Sequence, residues 1–459
     1  MIKVMAGIDM CMSGYGMAYD VTFFGNCVSL AKKDTKFLAR VNDATKRILR
    51  VKSQLGLLGD YDKIYPDPAD LNKIGTEESE DFNLEAARES IILAKNENNA
   101  LPLVKNSNMR ILITGPGANL RKVINGGWSY TWQGDLENKY DFGREKLTLY
   151  KALEKKYNNL VYMEGASLEK LTNIEETIVE AQRSDVIILA IAEDTYAEQF
   201  GNIDSMLLPD HQYTLANRLF DLNKTVIAVY FGGRPRIITD IDRRASSVIL
   251  GLLPGNRGGE AIAEIIFGDY NPNGRLPITY PKVQNGFMTY DHKPLENFDL
   301  NIPDKKILYP FGHGLSYTSF EYSNLKLDKL NIDDENENLT VSVDVRNVGK
   351  FEGKETVLLF VRDEVASVSR PVKQLKGFEK ISLKSGDMKT VKFVLNMHDH
   401  LSFIDINNKL VVEPGFFKIF VNKLETRFSY KVKLVKNNVN IISFNRIMIL
   451  ATVFLVFIF

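Results

Sequence analysis

The sequence predicts a multidomain chain, an α/β region with a mostly parallel sheet followed by an all-β sandwich. Three observations carry that reading. Between about residues 110 and 270, short uninterrupted apolar runs alternate with longer amphipathic stretches, the rhythm of strands and crossover helices. From about Tyr309 onward the pattern becomes alternating polar and apolar residues broken by Gly, Pro and Asn, as short sandwich strands require. The length, 459 residues, is enough for two or three domains that each bury a core.

Composition narrows the function classes. Apolar content of 44% and charged content of 25% are ordinary for a globular protein. The 58 basic residues balance 58 acidic ones, so nothing points to a nucleic-acid partner. Two cysteines, Cys11 and Cys27, make neither a disulfide framework nor a zinc site. The five histidines, at 211, 292, 313, 398 and 400, are too scattered for a metal centre, so no metal or cofactor is expected. No basic segment followed by an apolar core opens the chain.

In chain order, Phe37 to Leu58 reads as an amphipathic helix, with Leu38, Val41, Ala44, Ile48, Val51 and Leu55 on one face and Gly56 and Gly59 ending it. Residues 60–80 contain Pro66 and Pro68 among polar residues and read as a linker. A second helix is expected over about Leu84 to Lys95. The strand candidates are Ile111–Ile113, Val186–Ala192, Val226–Tyr230 and Ser247–Leu252, with helices at about 145–156, 174–183, 211–221 and 257–267. In the β-rich part, 340–346, 356–362, 390–395 and 416–421 read as strands, separated by turns at Asn347–Gly349, Ser385–Asp387 and Pro414–Gly415. Ile447 to Phe459 is a nearly continuous apolar run, shorter than the roughly 20 residues that span a bilayer. It reads as a buried strand, a tail anchor giving membrane attachment, or a cleaved glycolipid-anchor signal. Asn223-Lys-Thr and Asn338-Leu-Thr match the glycosylation tripeptide, which matters only in a secretory protein.

The chemistry gathers around Val186 to Pro209. An apolar run buried on both faces turns abruptly polar at Glu193, Asp194, Tyr196, Glu198, Gly201, Asn202 and Asp204. In open α/β sheets ligands bind beyond the carboxyl ends of strands, where such carboxylates could meet a substrate. A solvated acidic loop is the ordinary reading of any one of them. The string Gly126 to Gly134 holds both tryptophans of the chain. A loop tryptophan beside glycines can stack on the apolar face of a sugar ring, and core packing is the alternative, the weightier one for Trp132. Ile113-Thr-Gly-Pro-Gly117 lacks phosphate-loop spacing and reads as a tight turn.

Together these strings resemble glycoside hydrolase family 3, the β-glucosidase group. The resemblance rests on Ala192-Glu-Asp-Thr-Tyr-Ala-Glu-Gln-Phe-Gly-Asn202 with Leu207-Leu-Pro209 and Gln212, on Ala6-Gly-Ile-Asp-Met10, on Gly126-Gly-Trp128, on Gly268-Asp-Tyr-Asn-Pro-Asn-Gly-Arg-Leu-Pro277 and on Tyr309-Pro-Phe-Gly-His-Gly-Leu-Ser-Tyr317. Ala192 departs from the glycine usual there. The resemblance implies retaining hydrolysis of β-linked glycosides, with Glu198 as general acid/base, Glu193 as the runner-up and Trp128 lining the substrate pocket. It implies the end of a (β/α)8 barrel at 1–58, a connecting linker and helix at 59–107, an α/β sandwich at 108–285, a linker at 286–308, a fibronectin type III-like domain at 309–436 and an apolar tail at 437–459. The family's nucleophile is the Asp of a Ser-Asp-Trp triplet, and no such triplet occurs in these 459 residues. The resemblance therefore leads to the expectation of a truncated enzyme, inactive alone, or of a non-catalytic sugar- or protein-binding remnant. An unrelated nucleotide-binding α/β protein is a third reading, disfavoured by the missing phosphate loop. The expected partner is a β-linked oligosaccharide or glycoside, and the expected location is secreted, lysosomal or cell-surface.

Overall fold

The computed structural model describes residues 2–12, 17–59, 65, 67–105, 107–135, 146–286, 289–293 and 306–431. The apolar run at 447–459 and most of the expected linker at 286–308 lie outside the described residues. The chain divides into two compact units, Met1–Ser79 and Glu80–Phe459.

The first unit is helical, with α1 (Ile2–Met5), α2 (Met17–Ala31) and α3 (Thr35–Gln54). Asp34 starts α3 by accepting the backbone N–H groups of Lys36 and Phe37 at 2.8 and 3.1 Å, which satisfies two otherwise orphaned donors. Of the apolar stripe expected on this helix, Ala44 is buried while Leu38, Val51 and Leu55 are exposed. Asp9 receives Arg40 Nη2 and Arg47 Nε, both at 2.6 Å. The hydrogen bonds from Arg47 and Arg40 hold its carboxyl down to about 2.

The second unit begins within α4 (Glu77–Ser90) and contains a six-stranded sheet. Its strands are β1 (Ile92–Asn96), β2 (Ile111–Thr114), β3 (Leu160–Tyr162), β4 (Val186–Ala192), β5 (Thr225–Phe231) and β6 (Ser247–Leu252), in the order β1-β6-β5-β4-β2-β3. All neighbours are parallel except the edge strand β1, which runs antiparallel to β6. The connecting helices are α5 (Lys122–Asn125), α6 (Leu149–Lys156), α7 (Ile174–Arg183), α8 (Asp210–Phe220), α9 (Thr239–Arg244) and α10 (Gly258–Ile266). They cover both faces, so all seven residues of β4 are buried: Ile188 and Ala190 pack into one core, Ile187, Leu189 and Ile191 into the other.

The second expected helix holds only in part. The helix read over Leu84 to Lys95 ends at Ser90, and Ile92–Asn96 pairs with β6 instead. The apolar run Ile91–Ala94 can continue a helical face, but here it is almost wholly buried and tertiary pairing overrides local propensity. Leu93 O also accepts Leu315 N at 2.7 Å, which fastens the Tyr309–Tyr317 string onto this edge.

A short pair, β7 (Tyr280–Pro281) and β8 (Ile307–Tyr309), precedes the β-sandwich. One sheet of the sandwich contains β9 (Phe320–Leu327), β11 (Asn338–Asn347) and β14 (Met388–Asn396); the other contains β10 (Asn331–Ile332), β12 (Gly353–Asp363), β13 (Gln374–Leu383), β17 (Gly415–Val421) and β18 (Leu424–Tyr430). A helical turn α11 (Met397–Leu401) and the pair β15 (Phe403–Ile404) and β16 (Leu410–Val411) complete it. Val341, Val343 and Val345 of β11 face Val357, Leu359 and Val361 of β12 in one core, the alternation read from the sequence.

The string Gly268–Pro277 joins the two layers. Asn271 Oδ1 accepts Ser316 Oγ and Tyr317 N, both at 2.8 Å, while its Nδ2 donates to Glu352 O at 2.9 Å. Arg275 donates to Gly314 O at 2.7 Å and pairs with Glu355 of β12 at 2.5 Å. A side chain at Gly274 would meet Ile91 O at 2.2 Å, so only glycine lets β1 approach.

Ile188→Ala should destabilise the second unit by about 3 kcal/mol, the usual cost of emptying a packed site between two covered faces. Urea denaturation followed by circular dichroism checks it, with a lower midpoint and an unchanged slope as the expected result.

Candidate active site

The order β6-β5-β4-β2-β3 reverses direction between β4 and β2 as the chain runs from β2 to β3 and then to β4. In α/β sheets ligands are held beyond the carboxyl ends of the strands at such a reversal, here β2 and β4. The chain after β2 leads through α5 into the loop 126–134, and the chain after β4 forms the loop 193–209. The two loops meet. A side chain at Gly127 would lie 2.0 Å from Tyr196 O, and Trp132 contacts Phe200 edge-to-face at 5.4 Å between centroids.

Glu193 begins the second loop. Its N–H extends the pairing with β5 by donating to Phe231 O at 2.8 Å, and its side chain is buried. Oε1 receives Arg234 Nε at 2.9 Å and Arg236 Nε at 2.8 Å and Nη2 at 2.6 Å, while Oε2 is buried without a hydrogen-bond partner. Burial pushes its carboxyl up from the ordinary glutamate range, against the pull of Arg236 and Arg234. The runner-up acid is thus an anchor turned inward.

From that anchor the two arginines reach along the loop. Arg234 stacks on the ring of Tyr196 at 3.8 Å and donates Nη1 to Gly201 O at 2.7 Å, so it grips the chain before and after Glu198. Arg236 Nη1 donates to Ser205 O at 2.7 Å and Leu207 O at 3.0 Å. Gln212, almost wholly buried on α8, donates to Ala192 O at 2.8 Å and accepts Ala192 N at 3.0 Å, closing the end of β4.

Glu198 itself is exposed at the start of a 3-10 turn, Glu198–Gly201, with a backbone φ of 55°. Among the described residues no hydrogen bond or ion pair holds its carboxylate. It stands beside an exposed aromatic group: Trp128 is 69% exposed, Phe200 63% and Trp132 44%. Trp132, expected to pack in the core, is therefore half out of it, because its ring is supported at one edge by Phe200 and lies 6.3 Å from that of Trp128.

Backbone strain marks the same place. Among the described non-glycine residues, twelve have positive φ and eight of those are asparagine, the residue that tolerates it best. The other four are Trp128, Tyr130, Glu198 and Leu252, all on loops or strand ends at this edge of the sheet. Strain of this kind costs about 1–3 kcal/mol per residue and persists where surrounding contacts over-determine it. Gln133 and Arg234 do that on the two sides of Glu198, bonding Ala197 and Gly201, and neither stood out in the sequence as part of a site. The string Gly232-Gly-Arg-Pro235 that contains Arg234 reads only as fold architecture.

Among the described residues no group of His, Cys, Asp and Glu could hold a metal, and no helix is long and apolar enough to cross a membrane.

Residues 91–317 match the model of the glycosyl hydrolase family 3 C-terminal domain, and 355–424 match the fibronectin type III-like domain. The chain belongs to glycoside hydrolase family 3. It is 35% identical to a lysosomal β-glucosidase of Dictyostelium discoideum over 91% of this chain and 51% of that protein. It is 32% identical to a periplasmic β-glucosidase of Salmonella typhimurium over 92% of this chain and 58% of that one. A β-xylosidase of Formosa agariphila is 35% identical over 85% of this chain and 54% of its own. Among solved structures, a β-glucosidase from Listeria innocua bound to isofagomine superposes with a TM-score of 0.77 at 27% identity, over 86% of this chain and 56% of that one. The chain thus spans about half the length of the curated family 3 relatives it matches.

Because burial raises the Glu193 carboxyl, the folded chain binds its proton more tightly than the unfolded chain does. Its contribution is fully present below the ordinary value of 4.5 and lost as pH rises through the raised one. Thermal midpoints measured from pH 4 to 8 should therefore fall less with pH for Glu193→Gln than for the native chain.

Proposed function

We propose that this chain supplies the acid/base half of a retaining β-glycosidase active site. In this reading Glu198 protonates the glycosidic oxygen and then deprotonates the attacking water, Trp128 stacks on the sugar, and the nucleophile comes from residues outside these 459. The observation that carries it is the strained, solvent-facing Glu198, held on a loop fixed from both sides while its own carboxylate stays uncommitted. A general acid must come within about 3 Å of the leaving oxygen, which an anchored Glu193 at the sheet edge cannot do without breaking its ion pairs. Retention asks for a second carboxylate about 5–5.5 Å away. The absence of a Ser-Asp-Trp triplet supports assigning that partner elsewhere, with residues 1–58 as the end of the barrel that would bear it.

Relatives named for β-glucosides and β-xylosides support a β-linked gluco- or xylo-configured substrate. Their lysosomal and periplasmic names support a compartment outside the cytosol. The same missing triplet favours one second reading, a sugar-binding remnant without catalysis.

Joined to a barrel that carries the nucleophile, the chain should hydrolyse aryl β-glucosides. Glu198→Gln should lower kcat/KM about 10³-fold on alkyl or phenyl glucosides and far less on dinitrophenyl glucoside, whose leaving group needs no proton. Azide should partly restore turnover of the activated substrate by replacing base-activated water. If Glu193→Gln shows this pattern and Glu198→Gln does not, the acid is misassigned; if neither joined enzyme nor variant turns over, the remnant reading wins.

A further inference from the structure

The two loops beyond β2 and β4 could be held side by side by packing alone, but Gln133 ties them by a pair of hydrogen bonds. Gln133 Oε1 accepts Ala197 N at 3.0 Å, and Gln133 Nε2 donates to Ala197 O at 3.3 Å. The side-chain amide thus copies the paired exchange of two neighbouring strands, 64 residues apart in sequence. Ala197 is buried, so its N–H and C=O have no water to turn to if the amide is removed. The residue on one side of this joint is Trp132, four positions from Trp128 along the same loop. The residue on the other side is Glu198.

The contacts around the joint are arranged along it. Gly127 lies against Tyr196 O on one flank, and Trp132 meets the ring of Phe200 on the other. Neither contact fixes a backbone donor or acceptor. Trp128 N donates to Trp132 O at 2.9 Å, so the aromatic loop closes on itself just before Gln133. A displacement of Trp128 is therefore passed to Trp132, then to Gln133, then to the peptide units that flank Glu198.

On the reading that Glu198 is the acid/base and Trp128 the sugar platform, we infer that Gln133 is the positioning residue that makes sugar stacking on the tryptophan loop set the backbone of Glu198. Gln133 touches neither substrate nor reacting atoms. It acts through Ala197, and it converts two loops with separate freedom into one body. A ligand that steadies Trp128 then steadies Glu198, and removal of the joint leaves the ligand bound but the backbone at Glu198 held from the Arg234 side alone.

The chain as it stands tests this, because its two tryptophans both lie in the 126–134 loop and report on nothing else. Amide hydrogen exchange reads the other loop, and the Ala197 amide reports directly on its bond to Gln133. In Gln133→Leu, exchange at Ala197 and across 195–202 should speed up at least tenfold while β4 keeps its protection. Cellobiose should shift tryptophan emission in both proteins but slow exchange across 195–202 only in the native chain. Gln133→Glu keeps the acceptor for Ala197 N and loses the donor to Ala197 O, so its exchange should fall between the two. If Gln133→Leu does not fold, Gln133→Asn, whose amide stops one methylene short, takes its place with the same expected outcome.

Native exchange rates at Ala197 in the variant, or cellobiose protection of 195–202 that survives the substitution, would overturn the inference. A native chain whose tryptophan emission ignores cellobiose removes the sugar platform and with it the coupling. The exchange rates without sugar then still decide whether Gln133 is the joint.

Discussion

The candidate-site edge of the sheet hangs on one buried carboxyl group. Glu193 takes both arginines on a single oxygen, and each guanidinium also donates to loop carbonyls. Taking three charged groups out of water is expensive unless geometry and extra hydrogen bonds compensate. Here the compensation is structural order: Tyr196, Gly201, Ser205 and Leu207 are all fixed by the groups that neutralise Glu193. A loop of this length without secondary structure would otherwise sample many conformations. Removing one arginine leaves the carboxylate underpaired in an apolar setting, so the three residues act as a unit rather than as separable contacts.

Around that anchor the chain assembles an arrangement in which rigidity and exposure coexist. The backbone near Glu198 is gripped by Arg234 on one side and Gln133 on the other, yet its carboxylate faces solvent. Trp128, Trp132 and Phe200 stay exposed although each would gain by burial. Under the proposed function, an exposed aromatic group beside an uncommitted carboxylate suits sugars, whose rings offer apolar faces and whose linkages need a proton. The sandwich is fastened to the same unit through Asn271, Arg275 and Glu355, with Gly274 of that string packed beside the edge strand β1, remote from β4 in the sheet order.

Much of this was legible in the residues, for physical reasons that differ from element to element. β4 announces itself because seven consecutive apolar residues can be buried only between two covered faces. β11 is equally plain from its alternation of valines with polar residues. β1 was not, because Ile91–Ala94 continues the preceding helix in composition, and only pairing with β6 decides otherwise. β3, three residues long, is too short for any period to show. At the candidate site, Glu198 and Trp128 stand out through the family resemblance of their strings, since the residues alone leave a solvated loop and core packing open. Arg234, Arg236 and Gln133 could not, since their partners lie 38, 43 and 64 residues away and nothing local betrays the meeting. Trp132 misled because a tryptophan usually buries most of its surface, and this one shares a rim instead.

The left-handed backbone at Trp128, Tyr130, Glu198 and Leu252 has a practical corollary for anyone improving this scaffold. Glycine or asparagine at those four positions would relieve torsional penalty, so a library sorted by heat resistance alone would enrich for replacing them. Such a screen would erode the proposed chemistry first while reporting progress. The residues least suited to their own dihedral angles would serve better as fixed positions, and thermal gains are better sought in the sandwich.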